Sequence, residues 1–196
     1  MSINTSKSNK QKHIALVFIL SLLFYSCRDN LSQQPTTAKG FSVLEQHLKS
    51  KFGEDAYYTN LSVVHNSTIG NSLNVIVAEN PESLKMEEWN MVKNDWQQNS
   101  DIAIEVPQGT KATDYMYQLN NNINLTKLGS LVETSKLKLK KSKNLKNPKL
   151  SIASIKFPKN GDVSKAEYLV TLEPEHGGTT FSFFYTLDGY LIKIDY

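Results

Sequence analysis

The side chains able to carry acid–base or metal chemistry are few and scattered along this chain. Beyond residue 27 the histidines are His47, His65 and His176, and no pair has the His-x-x-His spacing or the His-Glu-x-x-His motif of zinc sites. Glu173 and Glu175 precede His176 and could gather with it around a divalent ion, although a solvated turn explains these residues better. Because the chain also lacks a serine-nucleophile motif and a glycine-rich phosphate loop, we predict no catalytic residue, no metal site and no cofactor.

Aromatic side chains are the best candidates for ligand binding. Trp89 and Trp96 fall on the two strands of one predicted hairpin, and Phe183, Phe184 and Tyr185 are consecutive in a later strand. Successive residues of a strand face opposite sides, so three aromatic residues in a row place at least one ring away from the core. Core packing and cross-strand pairing are the commoner roles of such residues. The alternative, a ligand-binding surface, would use all five.

Two helices are predicted to position these residues, because apolar side chains recur at three- and four-residue spacing. The stripe of the first helix, which is expected to end at Gly53, consists of Phe41, Leu44, Leu48 and Phe52. The stripe of the second helix, which Asn124 is expected to cap, consists of Leu125, Leu128, Leu131, Val132 and Leu139.

Eight segments rich in β-branched and aromatic residues are separated by turn-forming residues, and they predict strands. These segments are residues 57–65, 73–78, 86–92, 96–106, 150–157, 166–172, 179–185 and 190–195.

One helix followed by four strands therefore occurs twice along the chain. We predict an α+β fold of two similar halves, residues 41–120 and 121–196, each a helix packed on a four-stranded antiparallel sheet. In the order of its elements this plan resembles the tandem helix-on-sheet arrangement of beta-lactamase inhibitory protein and of PepSY-type domains. The resemblance implies the fold and no function.

The N-terminus has the layout of an export signal. Lys7, Lys10 and Lys12 precede an apolar run of 12 residues, Ile14 to Tyr25, which is too short to span a bilayer. Ser26 and Cys27 follow, and Cys27 is the only cysteine. Residues 1–27 resemble a bacterial lipoprotein precursor of the kind common in Bacteroidota. The resemblance implies cleavage before Cys27 and acylation of its sulfur; an ordinary cleaved signal is the alternative.

Residues 28–40 are polar, contain Pro35 and show no apolar periodicity, so they predict a flexible tether between the lipid and the folded part. In the Bacteroidota lipoproteins that residues 1–27 resemble, an acidic cluster after the cysteine accompanies display on the cell surface, and none follows Cys27. The resemblance therefore implies a location in the cell envelope, on the outer membrane and facing the periplasm.

The charge of the chain argues against nucleic-acid binding. Basic residues number 22 and acidic residues 19, but three lysines belong to the first 27 residues, so the remainder has 19 of each and no net charge. Residues 41–120 nevertheless have eleven acidic residues and five lysines, whereas residues 121–196 have twelve lysines and seven acidic residues. Seven of these lysines lie between Lys136 and Lys149. This tract could be a solvated helix end, a surface for anionic lipid or an acidic partner, or a contact between the two halves.

The sequence therefore predicts a lipid-anchored envelope protein that is not an enzyme. Its expected partners are the membrane, through lipid on Cys27, and an envelope protein or peptide bound on the sheet surface or in a groove between the halves. A carrier of a small molecule or glycan is the alternative, and a hydrolase is the weakest one.

Overall fold

The computed structural model describes residues 30–158 and 160–196. The predicted signal segment and Cys27 lie outside these residues. Within them, no helix combines the length and the apolar character needed to cross a bilayer. The two α-helices are α1 (Ala38–Phe52) and α2 (Leu125–Lys143). The nine described strands are β1 (Tyr57–Asn66), β2 (Gly70–Ala78), β3 (Lys85–Val92), β4 (Asp95–Ala103), β5 (Tyr117–Gln118), β6 (Lys149–Lys156), β7 (Glu167–Glu173), β8 (Phe181–Thr186) and β9 (Leu191–Asp195).

All nine strands belong to one antiparallel sheet, which confirms the predicted α+β class. The strand order is β4-β3-β2-β1-β6-β7-β8-β9, and the short β5 pairs with the beginning of β1. Residues 61–64 of β1 pair with residues 152–155 of β6, so the two expected four-stranded sheets are continuous rather than separate. This pairing satisfies backbone groups that two independent sheets would leave exposed along an edge.

Both helices contribute to a single core that extends across the sheet. The predicted stripes are buried in α1 and in α2, and every stripe residue is at most 7 % exposed. Asn124 caps α2 as predicted, since its Oδ1 accepts the N–H of Lys127 at 2.8 Å. The first helix ends before Gly53, whose φ of +102° suits glycine.

The helices run antiparallel to each other and are in direct contact. Glu45 of α1 accepts the backbone N–H of Leu125, and Glu133 of α2 accepts that of Ala38. Gly129 lies at the contact, where a Cβ atom would be 2.6 Å from the carbonyl oxygen of Thr37. The absence of a side chain at Gly129 therefore lets α2 meet the beginning of α1.

Residues 30–37, within the segment predicted as a tether, pack against the sheet. Leu31 is 4 % exposed in a short 3-10 helix, and the N–H of Ser32 donates to Asn94 Oδ1 at 2.8 Å. Asn71 donates through Nδ2 to the carbonyl oxygen of Gln34 at 2.6 Å. The buried leucine and the two asparagine side chains explain why this polar stretch is ordered, and α1 begins at Ala38, three residues before the predicted stripe.

Neither of the two described α-helices packs on the opposite face of the sheet, which we call the helix-free face. One end of it is covered by the chain after β4, where Ala112 and Met116 pack with Met86 in a second small cluster. Ile104 and Val106, predicted to continue β4, join this cluster instead, and the strand ends at Ala103.

Candidate functional site

Trp89 and Trp96, two of the predicted ligand-binding residues, lie together over the end of α1. Trp89 is on β3 and Trp96 on β4, and both rings make edge contacts with Phe52 at the C-terminus of the helix. The ring centroids are 5.9 Å apart for Phe52 and Trp89 and 5.4 Å apart for Phe52 and Trp96. These geometries are favourable for aromatic pairs.

Each indole N–H in this group has a hydrogen-bond acceptor. Trp96 Nε1 donates to His47 Nε2 at 2.9 Å, and Trp89 Nε1 donates to Glu87 Oε2 at 2.8 Å. An indole nitrogen can only donate, so Nε2 of His47 must be unprotonated in this arrangement. Burial lowers the pKa of His47, and the neighbouring charge of Lys51 lowers this pKa further. Both effects favour the neutral imidazole that accepts this bond.

The ammonium group of Lys51 lies among the same rings. Its Nζ is 4.1 Å from the ring centroid of Trp89, 5.1 Å from that of Phe52 and 5.3 Å from that of Trp96. All three distances are within the range of cation–π attraction. Lys51 and His47 are not predicted as ligand-binding residues from the sequence, and Phe52 is predicted only as part of the buried stripe of the first helix.

Phe183, Phe184 and Tyr185 lie on β8, near the opposite edge of the sheet from Trp89 on β3 and Trp96 on β4, and do not form a site with them. Phe183 is 0 % and Tyr185 2 % exposed in the core, where the Tyr185 hydroxyl lies 2.7 Å from Ser135 Oγ. The structure therefore gives these two rings a packing role, which is the alternative that the sequence left open. Phe184 faces away from the core, which confirms that one ring of the three points outward.

The ring of Phe184 lies on the helix-free face between two cations. Lys193 Nζ is 4.4 Å and Lys156 Nζ 5.0 Å from its centroid. Lys193 also pairs with Asp195 at 2.7 Å, whereas Lys156 forms no ion pair in the described part of the chain.

A row of side chains crosses the helix-free face through all eight strands of the main order. The pairing registers align one residue from each strand, from β4 to β9. In spatial order these residues are Gln97, Asn90, Asn74, Ser62, Ser154, Leu169, Phe184 and Lys193. The first five of these residues have amide or hydroxyl side chains, and the last three are apolar, aromatic and basic.

A cavity of about 850 Å³ is lined by side chains from residues 57–123 and from residues 127–188. Its aromatic walls include Tyr57, Tyr117 and Phe157. Its polar lining consists of Thr113, Gln118, Asn120, Asn121, Asn122, Lys127, Ser164, Thr186 and Asp188. The cavity is open to solvent, unlike the enclosed apolar space that an apolar ligand would need.

The histidines have separate surroundings. His65 Nδ1 lies 2.8 Å from Asn71 Oδ1, and His65 is on β1, which two strands separate from Trp96 on β4. Beside His176, Glu175 accepts from Asn147 at 2.8 Å and pairs with Lys149 at 3.6 Å, and the bond from Asn147 is the main reason that its pKa is lowered. Among residues 30–158 and 160–196, no three histidine, cysteine or acidic side chains are placed to hold a metal ion.

Comparison with protein-family models, curated proteins and solved structures finds no match to this chain.

Proposed function

We propose that the protein is a lipid-anchored, non-enzymatic binding module of the cell envelope, and that it holds a protein partner on the helix-free face. The observation that supports this most directly is the surface around Phe184. A half-buried aromatic ring that faces away from the core, with a lysine on each side, is suited to an apolar side chain flanked by carboxylates. The partner is therefore a protein segment with that pattern.

The rest of the row extends this surface. Leu169 lies beside Phe184, and nearer to β4 the amide side chains of Asn74, Asn90 and Gln97 can form hydrogen bonds with a polar partner surface. The two serines between them, Ser62 and Ser154, are buried. The row crosses eight strands, which is long enough for a protein partner and larger than a small ligand needs.

A photo-crosslinking residue at position 184 tests the proposed surface in the native envelope. The matched control is position 137, because Leu137 is 56 % exposed on α2, on the opposite side of the sheet. A reproducible crosslink to one identified protein from position 184 alone is expected. Equal crosslinking from both positions would contradict the proposal.

Binding of the purified partner then tests the charges. Lys156→Glu should weaken the affinity for the partner by about tenfold, because it places a carboxylate next to a carboxylate of the partner. The control is Lys138→Glu, at an exposed position of α2, and it should leave the affinity unchanged. An affinity that does not respond to Lys156→Glu would show that this surface is not the one used.

The two halves are proposed to be similar units. Each has a helix followed by four antiparallel strands, and β1 and β6 are the first strand after each helix and meet at the centre. The glutamates that cap each other's helix, Glu45 and Glu133, also occupy comparable places, seven and eight residues after the first helical residue. These correspondences support a repeat of one unit.

Attachment to the membrane is proposed to occur through lipid on Cys27, with the protein on the outer membrane facing the periplasm. The position of the lysine-rich tract, Lys136 to Lys149, supports a membrane attachment at Cys27. Lys149 begins β6 at the end of the sheet where the β1–β2 and β3–β4 turns lie, and Asn30 contacts Asn94 in the latter turn. The tract is thus at the end of the molecule from which the chain leads back to Cys27, where an anionic bilayer would attract it.

Mass spectrometry of the native protein tests the anchor. The wild type should lack residues 1–26 and carry acyl chains on Cys27, and Cys27→Ala should remain unprocessed or lose its membrane association. A wild-type protein with a free thiol would contradict the proposal.

A carrier of a polar small molecule or glycan is the second candidate, because of the cavity of about 850 Å³. Its aromatic walls and amide side chains provide stacking surfaces and hydrogen bonds for a hydroxyl-rich ligand. A hexose-containing molecule that co-purifies with the wild type, and is lost from Asn121→Leu, would support it. Retention of such a molecule by Asn121→Leu would exclude this cavity as its site.

A further inference from the structure

Phe52, Trp89 and Trp96 surround the positive charge of Lys51, and we call these three rings the aromatic cage. The distance of Lys51 Nζ from the nearest ring centroid, that of Trp89, is 4.1 Å. Several aromatic rings around one ammonium group are the arrangement by which proteins recognise quaternary ammonium ligands. The cage is on the helix side of the sheet and so is independent of the surface proposed above.

The walls of the cage are held by contacts that do not involve Lys51. Phe52 is 7 % exposed and belongs to the core. The hydrogen bonds from Trp96 to His47 and from Trp89 to Glu87 orient both indoles. The rings should therefore keep their positions when the lysine side chain leaves.

The contacts of Lys51 allow its ammonium group to leave the cage. In the described residues its ammonium group forms no ion pair, whereas Lys49 in the same helical turn pairs with Glu45 and Glu54. A long, flexible side chain loses rotamer freedom when its end is held, and it regains this freedom on release. Among the described residues, the contacts of this ammonium group in the cage are the three cation–π contacts.

The charges beside the cage favour a cation that has no anionic group of its own. A cavity of about 630 Å³ adjoins Phe52, and its charged lining residues are Glu79, Glu87, Asp101 and Lys85. Three carboxylates against one ammonium group give an acidic surface, which attracts cations and repels a phosphate or carboxylate carried on the same ligand.

We propose that the aromatic cage binds a small organic cation of the choline type, whose quaternary ammonium group displaces Lys51. A quaternary ammonium group spreads its charge over methyl groups and has no N–H to leave unsatisfied. It therefore loses less hydration than the primary ammonium of lysine on entering aromatic surroundings.

Intrinsic tryptophan fluorescence tests this directly, because the chain has two tryptophans and both are in the cage. The full-length protein is titrated with choline chloride, with sodium chloride at the same ionic strength, and with the neutral tert-butyl analogue of choline. A saturable change is expected with choline only. An equal response to the neutral analogue, or no response beyond that to salt, would overturn the proposal.

Variants test the role of Lys51 separately from that of the aromatic rings. Lys51→Ala should raise the affinity for choline about fivefold, the equivalent of one cation–π contact of about 1 kcal/mol. Lys111→Ala, an exposed lysine outside the cage, should not change this affinity. An unchanged affinity in Lys51→Ala would contradict displacement.

Trp89→Leu should abolish binding, with Trp96 remaining as the reporter, and Trp89→Phe should restore part of the affinity because it returns an aromatic wall. Far-ultraviolet circular dichroism establishes that each variant is folded. Retention of choline affinity by a folded Trp89→Leu variant would overturn the proposal.

Vesicles distinguish a free cation from a lipid headgroup. Phosphatidylcholine and phosphatidylglycerol vesicles are added to the same protein, and the response is compared with that to free choline. A response to phosphatidylcholine vesicles without one to free choline would overturn the proposal in favour of a membrane contact.

Discussion

Glu45 on α1 and Glu133 on α2 each accept the first backbone N–H of the other's helix. Glu45 Oε2 is 2.7 Å from the nitrogen of Leu125, and Glu133 Oε2 is 2.9 Å from that of Ala38. The first N–H groups of a helix have no acceptor within it, and a negative charge near them is favourable. The beginning of each helix is thus stabilised by a residue from the other half of the chain.

Replacement of either glutamate should therefore destabilise the fold. Glu45→Ala and Glu133→Ala should each lower the free energy of unfolding by about 1–2 kcal/mol, the usual cost of losing a helix cap. Denaturation in urea measures this. Glu54→Ala is the control, because Glu54 is 79 % exposed and should contribute less than about 0.5 kcal/mol. Equal effects at Glu45 and Glu54 would contradict the capping role.

Gly129→Ala should destabilise the protein although alanine favours helices by about 1 kcal/mol over glycine. Its Cβ atom would be 2.6 Å from the Thr37 oxygen and 2.8 Å from the Ala38 Cα atom, and both are backbone atoms that cannot rotate away. We expect a net loss of about 1–3 kcal/mol in the free energy of unfolding. The control is Thr134→Ala, at an exposed position of the same helix, which should leave the free energy of unfolding unchanged or raise it slightly. A similar result for Gly129→Ala would contradict the close contact between the helices.

Stability should fall as the pH drops below about 6.5, in part because of His47. The pKa of His47 is lower in the folded protein than in the unfolded chain. Between these two pKa values the unfolded chain binds more protons, so acid favours unfolding. Protonated His47 also cannot accept the N–H of Trp96. The free energy of unfolding of wild type and of His47→Gln, measured from pH 8 to about pH 5, should converge on acidification. Parallel curves would contradict a contribution from His47.

Two buried tyrosine hydroxyls should be dispensable. Those of Tyr58 and Tyr117 have no hydrogen-bond partner among the described residues, and burial is the main cause that raises the pKa of both. Tyr58→Phe and Tyr117→Phe should leave the free energy of unfolding unchanged or increase it.

The control for these variants is Tyr168→Phe. The Tyr168 hydroxyl accepts the N–H of Asn124 at 3.0 Å, so its removal should cost about 1 kcal/mol in thermal or urea unfolding. A larger loss in Tyr117→Phe than in Tyr168→Phe would show that the Tyr117 hydroxyl has a partner after all.

The helices and strands could be predicted because their signals are local. Apolar residues from Phe41 to Phe52 repeat at the helical period, and three consecutive aromatic residues in a strand predicted that at least one ring faces outward, which the structure shows to be Phe184. The pairing of β1 with β6 could not be predicted, because Leu61 and Val63 alternate in the same way whichever strand lies beside them.

The aromatic cage depended on contacts between distant residues. Lys51 and Trp96 are 45 positions apart, and no periodicity relates the end of a helix to a strand that crosses over it. The sequence predicted Trp89 and Trp96 as a pair because they share a hairpin. It also grouped them with Phe183 and Tyr185, since composition alone does not distinguish a core ring from an accessible one.

The bond between Asn30 and Asn94 limits how far the folded body can stand from a lipid on Cys27. Only three peptide steps separate Cys27 from Asn30, and a fully extended chain covers about 11 Å over that length. An acylated protein would therefore rest its β3–β4 turn at the headgroups instead of reaching out into the compartment. Any large partner would have to approach along the membrane plane or from the distal end, because the gap beneath the turn is narrower than a protein domain.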